Sequence, residues 1–301
     1  MQTVKVRVPG TSANCGPGFD VIGIACTIYN ELELTLTTEP QCFIEVEGEG
    51  SSGIPKDDRN IAYQAVMLVL NKVHSNLRGI HLRMKNAIPM ARGLGSSAAA
   101  IVAGLVAANI ATGEQLTKQD ILELATSLEG HPDNVAPAIF GGICISAMAG
   151  EEVHSLKILP PKKLYLVVAV PEFGLSTKAA RQVLPKMLPF KNAVFNVGRA
   201  SLLVAAISQG EFKLLGHALE DKIHQPYREK LIPGMTEVFD AAVSAGALGA
   251  AISGAGSCLV AFAESNLEAI GEAMVSAFLM NGINAQSLVL DIDTQGAKRL
   301  E

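Results

Sequence analysis

Two stretches of this chain carry no charge, and they constrain its fold more than any other feature. One lies between Arg92 and Glu114 and runs for 21 residues (93–113); the other lies between Asp240 and Glu264 and runs for 23 (241–263). Length alone would let each cross a bilayer, which takes about 20 apolar residues. Their make-up argues otherwise. Membrane insertion is driven by Leu, Ile, Phe and Val, and here Gly93-Leu-Gly-Ser-Ser97 and Ser253-Gly-Ala-Gly-Ser257 dilute them. We therefore expect no membrane span. A buried glycine-rich loop joined to a core helix or strand accounts for both stretches.

At 301 residues the chain is long enough for about two domains and needs no disulfide or metal staple. With 49% hydrophobic and 18% charged residues it is not a disordered chain. Tryptophan is absent, aromatics are 5% and glycines number 28, so the core must be built from aliphatic and small side chains. Net charge is −5 with no basic tract, which argues against a nucleic-acid partner. Five scattered cysteines (Cys15, Cys26, Cys42, Cys144, Cys258) form no C-x-x-C and fit a reducing cytoplasm. Met1-Gln-Thr-Val-Lys-Val reads as a strand, so no signal peptide is expected.

Residues 3–8 and 31–37 alternate with period two, as half-buried strands of a mostly antiparallel sheet do, and 43–47 continues the pattern. Helices are expected at 60–74, 96–111 and 117–128, the last opened by a Thr117/Asp120 capping pair. Strands are expected at 79–84, 141–147 and 163–170. Beyond a polar, Pro-containing stretch at 151–161, helices follow near 177–187, 192–209, 211–219 and 234–245. Strands at 249–252 and 258–263, a helix at 266–281 and a strand at 286–291 complete the chain. This is α+β in two rounds. We expect an N-terminal domain over 1–154 and a C-terminal domain over 155–301.

The run from Pro89 through Met90, Ala91, Arg92, Gly93, Leu94, Gly95, Ser96, Ser97, Ala98 and Ala99 to Ala100 reads as a loop entering a helix. It is either a serine-capped helix after a glycine turn or an anion site made of loop amides and a helix N-terminus. A P-loop is excluded because no lysine follows Gly95. Gly93-x-Gly95-x-x-Ala98 satisfies the dinucleotide fingerprint, but residues 87–92 part it from the preceding strand. Pro9 to Asp20 packs turn formers around Asn14 and Asp20, as a plain turn or as a grip on hydroxyl and amino groups. Glu129-Gly-His-Pro-Asp-Asn134 places four functional side chains just before an apolar run, as a polar site held against a core would. Ser253-Gly-Ala-Gly-Ser257 is a second glycine loop, entering a strand.

In order, these segments resemble the three motifs of the GHMP kinases, and the resemblance spans essentially the whole chain. Within that superfamily Asn14-Cys-Gly-Pro-Gly-Phe-Asp20, Gly130-His-Pro-Asp-Asn-Val, Ser176-Thr-Lys-Ala-Ala-Arg181 and His224-Gln-Pro-Tyr-Arg228 resemble the homoserine branch. The resemblance implies a two-domain fold. Its N-terminal domain is mixed α/β with a left-handed βαβ phosphate-binding unit, and its C-terminal domain is a ferredoxin-like sandwich. It implies ATP and Mg²⁺, with 89–100 as the phosphate loop, Asn60 and Lys85 holding the nucleotide, and Ser97 with Glu129 on the metal. An insert in other members leaves Glu123 as the rival to Glu129. Ser253, Gly254 and Gly256 would form a supporting loop. L-homoserine would be held by Asn14, Asp20, His131, Thr177, Arg181 and Arg228, the arginines suiting a carboxylate through their planar fork. Asp133 or Asn134 falls near a catalytic Asp of mevalonate kinases, while the homoserine branch is read as lacking a base. A homodimer is implied by the resemblance alone. Other readings are a GHMP kinase for another alcohol (mevalonate or a diphosphocytidyl-erythritol), an oxidoreductase built on the Gly93 fingerprint, and an inactive ligand sensor.

Overall fold

A computed structural model describes residues 2–301. The N-terminal half is a seven-stranded sheet. Strand β1 (Gln2–Ala13) pairs antiparallel with β2 (Ile22–Thr37), and β2 pairs with β4 (Gly79–Asn86). β3 (Cys42–Gly48) joins the far edge parallel to β4, with helix α1 (Ile61–Lys72) making the crossover. Val4, Val6 and Val8 of β1, with Leu32, Leu34 and Leu36 of β2, are buried at alternate positions, as the period-two pattern requires.

Helix α2 (Ser96–Ala111) fills the centre of this half, with eleven of its residues buried, six of them alanine. A helix apolar all round belongs in a core, and this one answers the question posed by the first uncharged stretch. Its small side chains let α1 come close: a Cβ on Gly104 would lie 2.5 Å from the Ala62 carbonyl oxygen. Helix α3 (Lys118–Glu129) opens on the expected capping box: the Thr117 hydroxyl accepts from the Asp120 amide at 3.1 Å, and the Asp120 carboxylate accepts from the Thr117 amide at 2.8 Å. Among the described residues no helix is long and apolar enough to cross a membrane.

Three elements depart from expectation. Helix α4 (Pro132–Phe140) forms where the pattern predicts no helix, only a polar site held against a core; Pro132 sits in its first turn, where a missing N–H costs little. β5 (Ile143–Ala149) and β6 (Glu152–Ile158) form a hairpin on the first sheet, so 155–158 belongs with that sheet rather than with the second half. β11 (Lys298–Leu300) returns to pair with β1, so the chain's last strand also lies in the N-terminal sheet.

The second half is a four-stranded antiparallel sheet in the order β10-β7-β9-β8. Its strands are β7 (Tyr165–Pro171), β8 (Gly249–Ile252), β9 (Leu259–Ala263) and β10 (Ala285–Leu290). That order is the ferredoxin-like arrangement. Helices α9 (Met235–Ser244) and α10 (Leu267–Met280) cover one face. β7 reads as an unbroken apolar run because both of its faces are buried. Leu166, Val168 and Val170 join the cluster that continues into the first half, while Val167 and Ala169 join the one under α9 and α10. Between β7 and α9 the chain forms α5 (Thr177–Gln182), α6 (Phe190–Gln209), α7 (Leu215–Ala218) and α8 (Gln225–Arg228), of which α5 and α6 reach the first half through Arg181–Asp20 and Asn196–Pro17. α5 is shorter than the expected 177–187; Pro185 disfavours helical backbone at Leu184.

Candidate active site

A cleft of about 420 Å³ runs between the halves. One wall is the loop from Pro89 to Gly95. Gly93 and Gly95 have φ of +85° and +68°, and a Cβ on either would meet an oxygen at 2.0 Å (Ser253 O and Thr11 Oγ1 respectively). Only glycine fits both the conformation and the space. Gly95 caps α2 without any side-chain hydrogen bond, in contrast to the capping box of α3. The free N–H groups of the first turn of α2 therefore have no side-chain cap, and Ser96 and Ser97 line the cleft. Unpaired amides at a helix N-terminus attract anions.

The loop is fixed by the second uncharged stretch. The Ser253 hydroxyl donates to the Gly93 carbonyl at 2.6 Å and lies 2.9 Å from the Ser12 hydroxyl. The Gly254 amide donates to the Ala13 carbonyl at 2.9 Å, and the Cys258 amide to the Arg92 carbonyl at 2.9 Å. The side chain of Arg92 turns away from the cleft: Nε donates to the Pro171 carbonyl at 2.8 Å, and Nη2 donates to the Glu172 carbonyl.

Beside the loop, Ser97 Oγ donates to Glu129 Oε2 at 3.2 Å. Burial pushes the Glu129 carboxyl above its ordinary value, against the pull of His131 and the Ser97 hydrogen bond. The rival Glu123 accepts from Gln119 at 2.9 Å and does not line the cleft.

The far end gathers the charged groups. Arg181 pairs bidentately with Asp20, at 2.7 and 3.0 Å. Burial opposes the charge of Arg181, but the Asp20 pair raises its pKa overall. Arg228 is 1% exposed; burial, reinforced by Arg181, pulls its guanidinium down to about 10, so it remains charged at neutral pH. Both guanidiniums lie against the Phe19 ring, at 5.5 and 5.3 Å. His131 Nδ1 is 2.5 Å from Asp133 Oδ1. Burial lowers the affinity of His131 for a proton, but the Asp133 hydrogen bond and neighbouring carboxylates raise it overall. Asn134 accepts from the Thr11 hydroxyl at 2.8 Å, and the Asn14 amide donates to the Gly254 carbonyl at 2.7 Å. Thr177, one turn before Arg181 on α5, completes this wall.

The expected residues do not all meet here. Lys85 points to the other face of β4, into a separate groove of charged side chains, while its neighbours Met84 and Asn86 line the cleft. Arg92, Ala98, Ala99 and Ser253 lie behind the cleft wall. Asn60 lines the cleft but its amide caps α1, accepting from Ala62 and Tyr63 and donating to the Pro55 carbonyl. Two residues not expected at all are Asn30 and Asn86, directly opposite each other on β2 and β4. Asn30 Oδ1 accepts from the Ala87 and Ile88 amides at 2.9 and 3.0 Å, anchoring the start of the loop. Asn30 Nδ2 and Asn86 Oδ1 have no hydrogen-bond partner among the described residues. The available signal was an asparagine beside each expected strand, Asn30 just before 31–37 and Asn86 shortly after 79–84.

Anion-ready backbone at one end of a cleft and paired charges at the other define a phosphoryl-transfer enzyme for a small charged acceptor. The models of the GHMP kinases N terminal domain and the GHMP kinases C terminal domain match residues 60–142 and 203–279. A homoserine kinase of Moorella thermoacetica is 47% identical over 92% of this chain and 93% of its own. That of Carboxydothermus hydrogenoformans is 45% identical over 98% and 96%. The crystal structure of a homoserine kinase from Cytophaga hutchinsonii superposes with a TM-score of 0.91 at 32% identity, over 100% of this chain and 98% of that one. A mevalonate kinase of L. major, at 20% identity and TM-score 0.74 over 96% of each chain, shares the fold. The chain belongs to the homoserine kinase family of the GHMP kinases.

Proposed function

We propose that the chain transfers the γ-phosphoryl group of ATP to the side-chain hydroxyl of L-homoserine, giving O-phospho-L-homoserine for threonine synthesis. The observation that carries the reading is the charge balance at the far end of the cleft. Two guanidiniums (Arg181, Arg228) face two carboxylates (Asp20, Asp133) around one space. An amino-acid zwitterion brings one charge of each sign to such a site. Asp20 and Arg181 pair with each other. On binding, the ammonium group takes up Asp20 and the carboxylate takes up the arginines, with Asn14, His131 and Thr177 lining the pocket.

Phosphoryl transfer rests on positioning and charge neutralisation more than on covalent help. The amides of 93–97 and the start of α2 would cradle the phosphates. The unpaired Asn30 donor and Asn86 acceptor are complementary to the edge of a purine base. Ser97 and Glu129 form an oxygen donor pair suited to Mg²⁺, which takes one or two protein ligands beside phosphate oxygens. The raised pKa of Glu129 fits a carboxylate buried to meet a cation. Bound there, Mg²⁺ would neutralise phosphate charge.

The test is an ADP-release assay with L-homoserine beside mevalonate and galactose. Turnover that needs both Mg²⁺ and L-homoserine is expected. Absence of homoserine-dependent turnover at millimolar substrate, or preference for mevalonate, removes the reading.

A further inference from the structure

Arg228 is the largest fully buried side chain of the protein. A long guanidinium side chain binds a carboxylate in a fixed direction only if its own donors are held. Three acceptors hold it. Nε donates to the Ala180 carbonyl at 3.3 Å, and Nη1 donates to the Gly254 carbonyl at 2.9 Å and to His224 Nδ1 at 3.3 Å.

The last contact depends on the state of His224. Its Nε2 lies 2.6 Å from the Gly16 carbonyl. A carbonyl only accepts, so Nε2 carries the proton. The side chain has no solvent exposure, and burial keeps the ring neutral despite Asp221 nearby. In a neutral imidazole the other nitrogen is then a lone pair, and Nδ1 can accept from Arg228. The other neutral tautomer, or a doubly protonated ring, would put an N–H against a guanidinium N–H.

Asp221 sets the ring's place. Its carboxylate accepts from the amides of Ile223, His224 and Gln225 at 2.9, 2.8 and 2.7 Å, and from the Asn196 side chain at 2.6 Å. The carboxylate is buried, and its oxygens are filled by main chain and amide donors. The Gln225 side chain also accepts from the Ile252 amide at 2.8 Å, and Phe19 stacks on His224 with centroids 5.2 Å apart. The segment 221–228 therefore ties the first glycine turn, through Gly16 and Phe19, to the Ser253–Gly256 loop.

We propose that His224, seated by Asp221, is a positioning residue that aims the Arg228 guanidinium at the acceptor's carboxylate. This rests on the reading that Arg228 meets that carboxylate. The experiment uses the intact protein and two ligands: L-homoserine as substrate, and 3-aminopropan-1-ol, which keeps the amine and alcohol but lacks the carboxylate, as competitor. His224→Gln retains a donor for Gly16 and loses the acceptor for Arg228. His224→Asn places a carbonyl oxygen near the position of Nδ1.

A hydrogen bond to a charged group is worth about 1.5–3 kcal/mol, so His224→Gln should raise the KM for homoserine roughly 10–100-fold. The KM for ATP, kcat and the inhibition constant of 3-aminopropan-1-ol should move less than about 3-fold, and His224→Asn should recover much of the homoserine affinity. An equal loss toward both ligands, or an unchanged homoserine KM in His224→Gln, overturns the proposal. If His224→Gln fails to fold, His224→Asn carries the test alone: a homoserine KM raised by about 10-fold or more, with ATP unaffected, refutes the acceptor role. A wild-type protein that does not phosphorylate homoserine would instead refute the functional reading itself.

Discussion

The loops 93–97 and 253–257 look alike in sequence and do different things. Each is a glycine-serine turn inside an uncharged stretch, and they touch: Ser253 donates to the Gly93 carbonyl. The first leads into a helix, whose N-terminal amides are left without a side-chain cap and line the cleft. The second leads into β9, whose amides are spent on strand pairing. A helix start concentrates unpaired N–H groups at one point, whereas a strand start has none to spare. Equal composition thus yields a loop that ends in uncapped amides in one place and, in the other, a loop whose residues 254–256 share the cleft wall while Ser253 braces the first loop from behind.

The sharpest way to break this comparison is at Gly95. Valine there would need a positive φ that costs a β-branched residue heavily, and its Cβ would meet Thr11 Oγ1 at 2.0 Å. The amides of 95–97 would be turned out of line. We expect Gly95→Val to lower kcat/KM by ~10² or more, since a misplacement of positioning groups by about 1 Å costs that much. Circular dichroism should still report a folded chain. Full ATP turnover in this variant would mean the loop does not hold phosphate.

What the sequence made legible follows the same division. The turn formers, the Thr117 capping box and the alternation of β2 are local signals, and each is found in the structure. Helix α4 was hidden because His131-Pro-Asp-Asn has loop composition and because Pro137, which removes one i→i−4 hydrogen bond, argues against a helix interior there. Lys85 was misplaced because one residue of strand register decides which face a side chain takes. Asn196, Asp221 and His224 are far apart from Gly16 in sequence and meet it only through tertiary packing. No local pattern announces such a network.

On the proposed function, the first loop's contribution to rate comes from main-chain amides at the start of α2 rather than from a side-chain base. Asp133 is the residue that could contradict this. It is 2% exposed and held 2.5 Å from His131. If its part is to hold His131 and balance the arginines, Asp133→Asn should keep kcat within about 10-fold, with the larger change in the KM for homoserine. General-base catalysis is worth roughly 10²–10⁴, and a kcat loss of that size would make Asp133 the base. Steady-state kinetics with both substrates varied distinguishes the two.

The smallest effect on catalysis is expected at Ser253, which belongs to the brace. Its side chain is fully buried, and removing the hydroxyl leaves the Gly93 carbonyl and the Ser12 hydroxyl each short of a partner. Such a deletion costs about 1–3 kcal/mol of stability. Ser253→Ala should therefore melt several degrees lower. Its kcat/KM should fall no more than about 10-fold, because the backbone tie from Gly254 to Ala13 and that from Cys258 to Arg92 survive. The expected signature is the reverse of that at Gly95, with stability moving more than rate. If Ser253→Ala instead lost activity as deeply as Gly95→Val while melting normally, the Ser253 hydroxyl would be acting on the ligand rather than bracing the Gly93 carbonyl from behind the cleft wall.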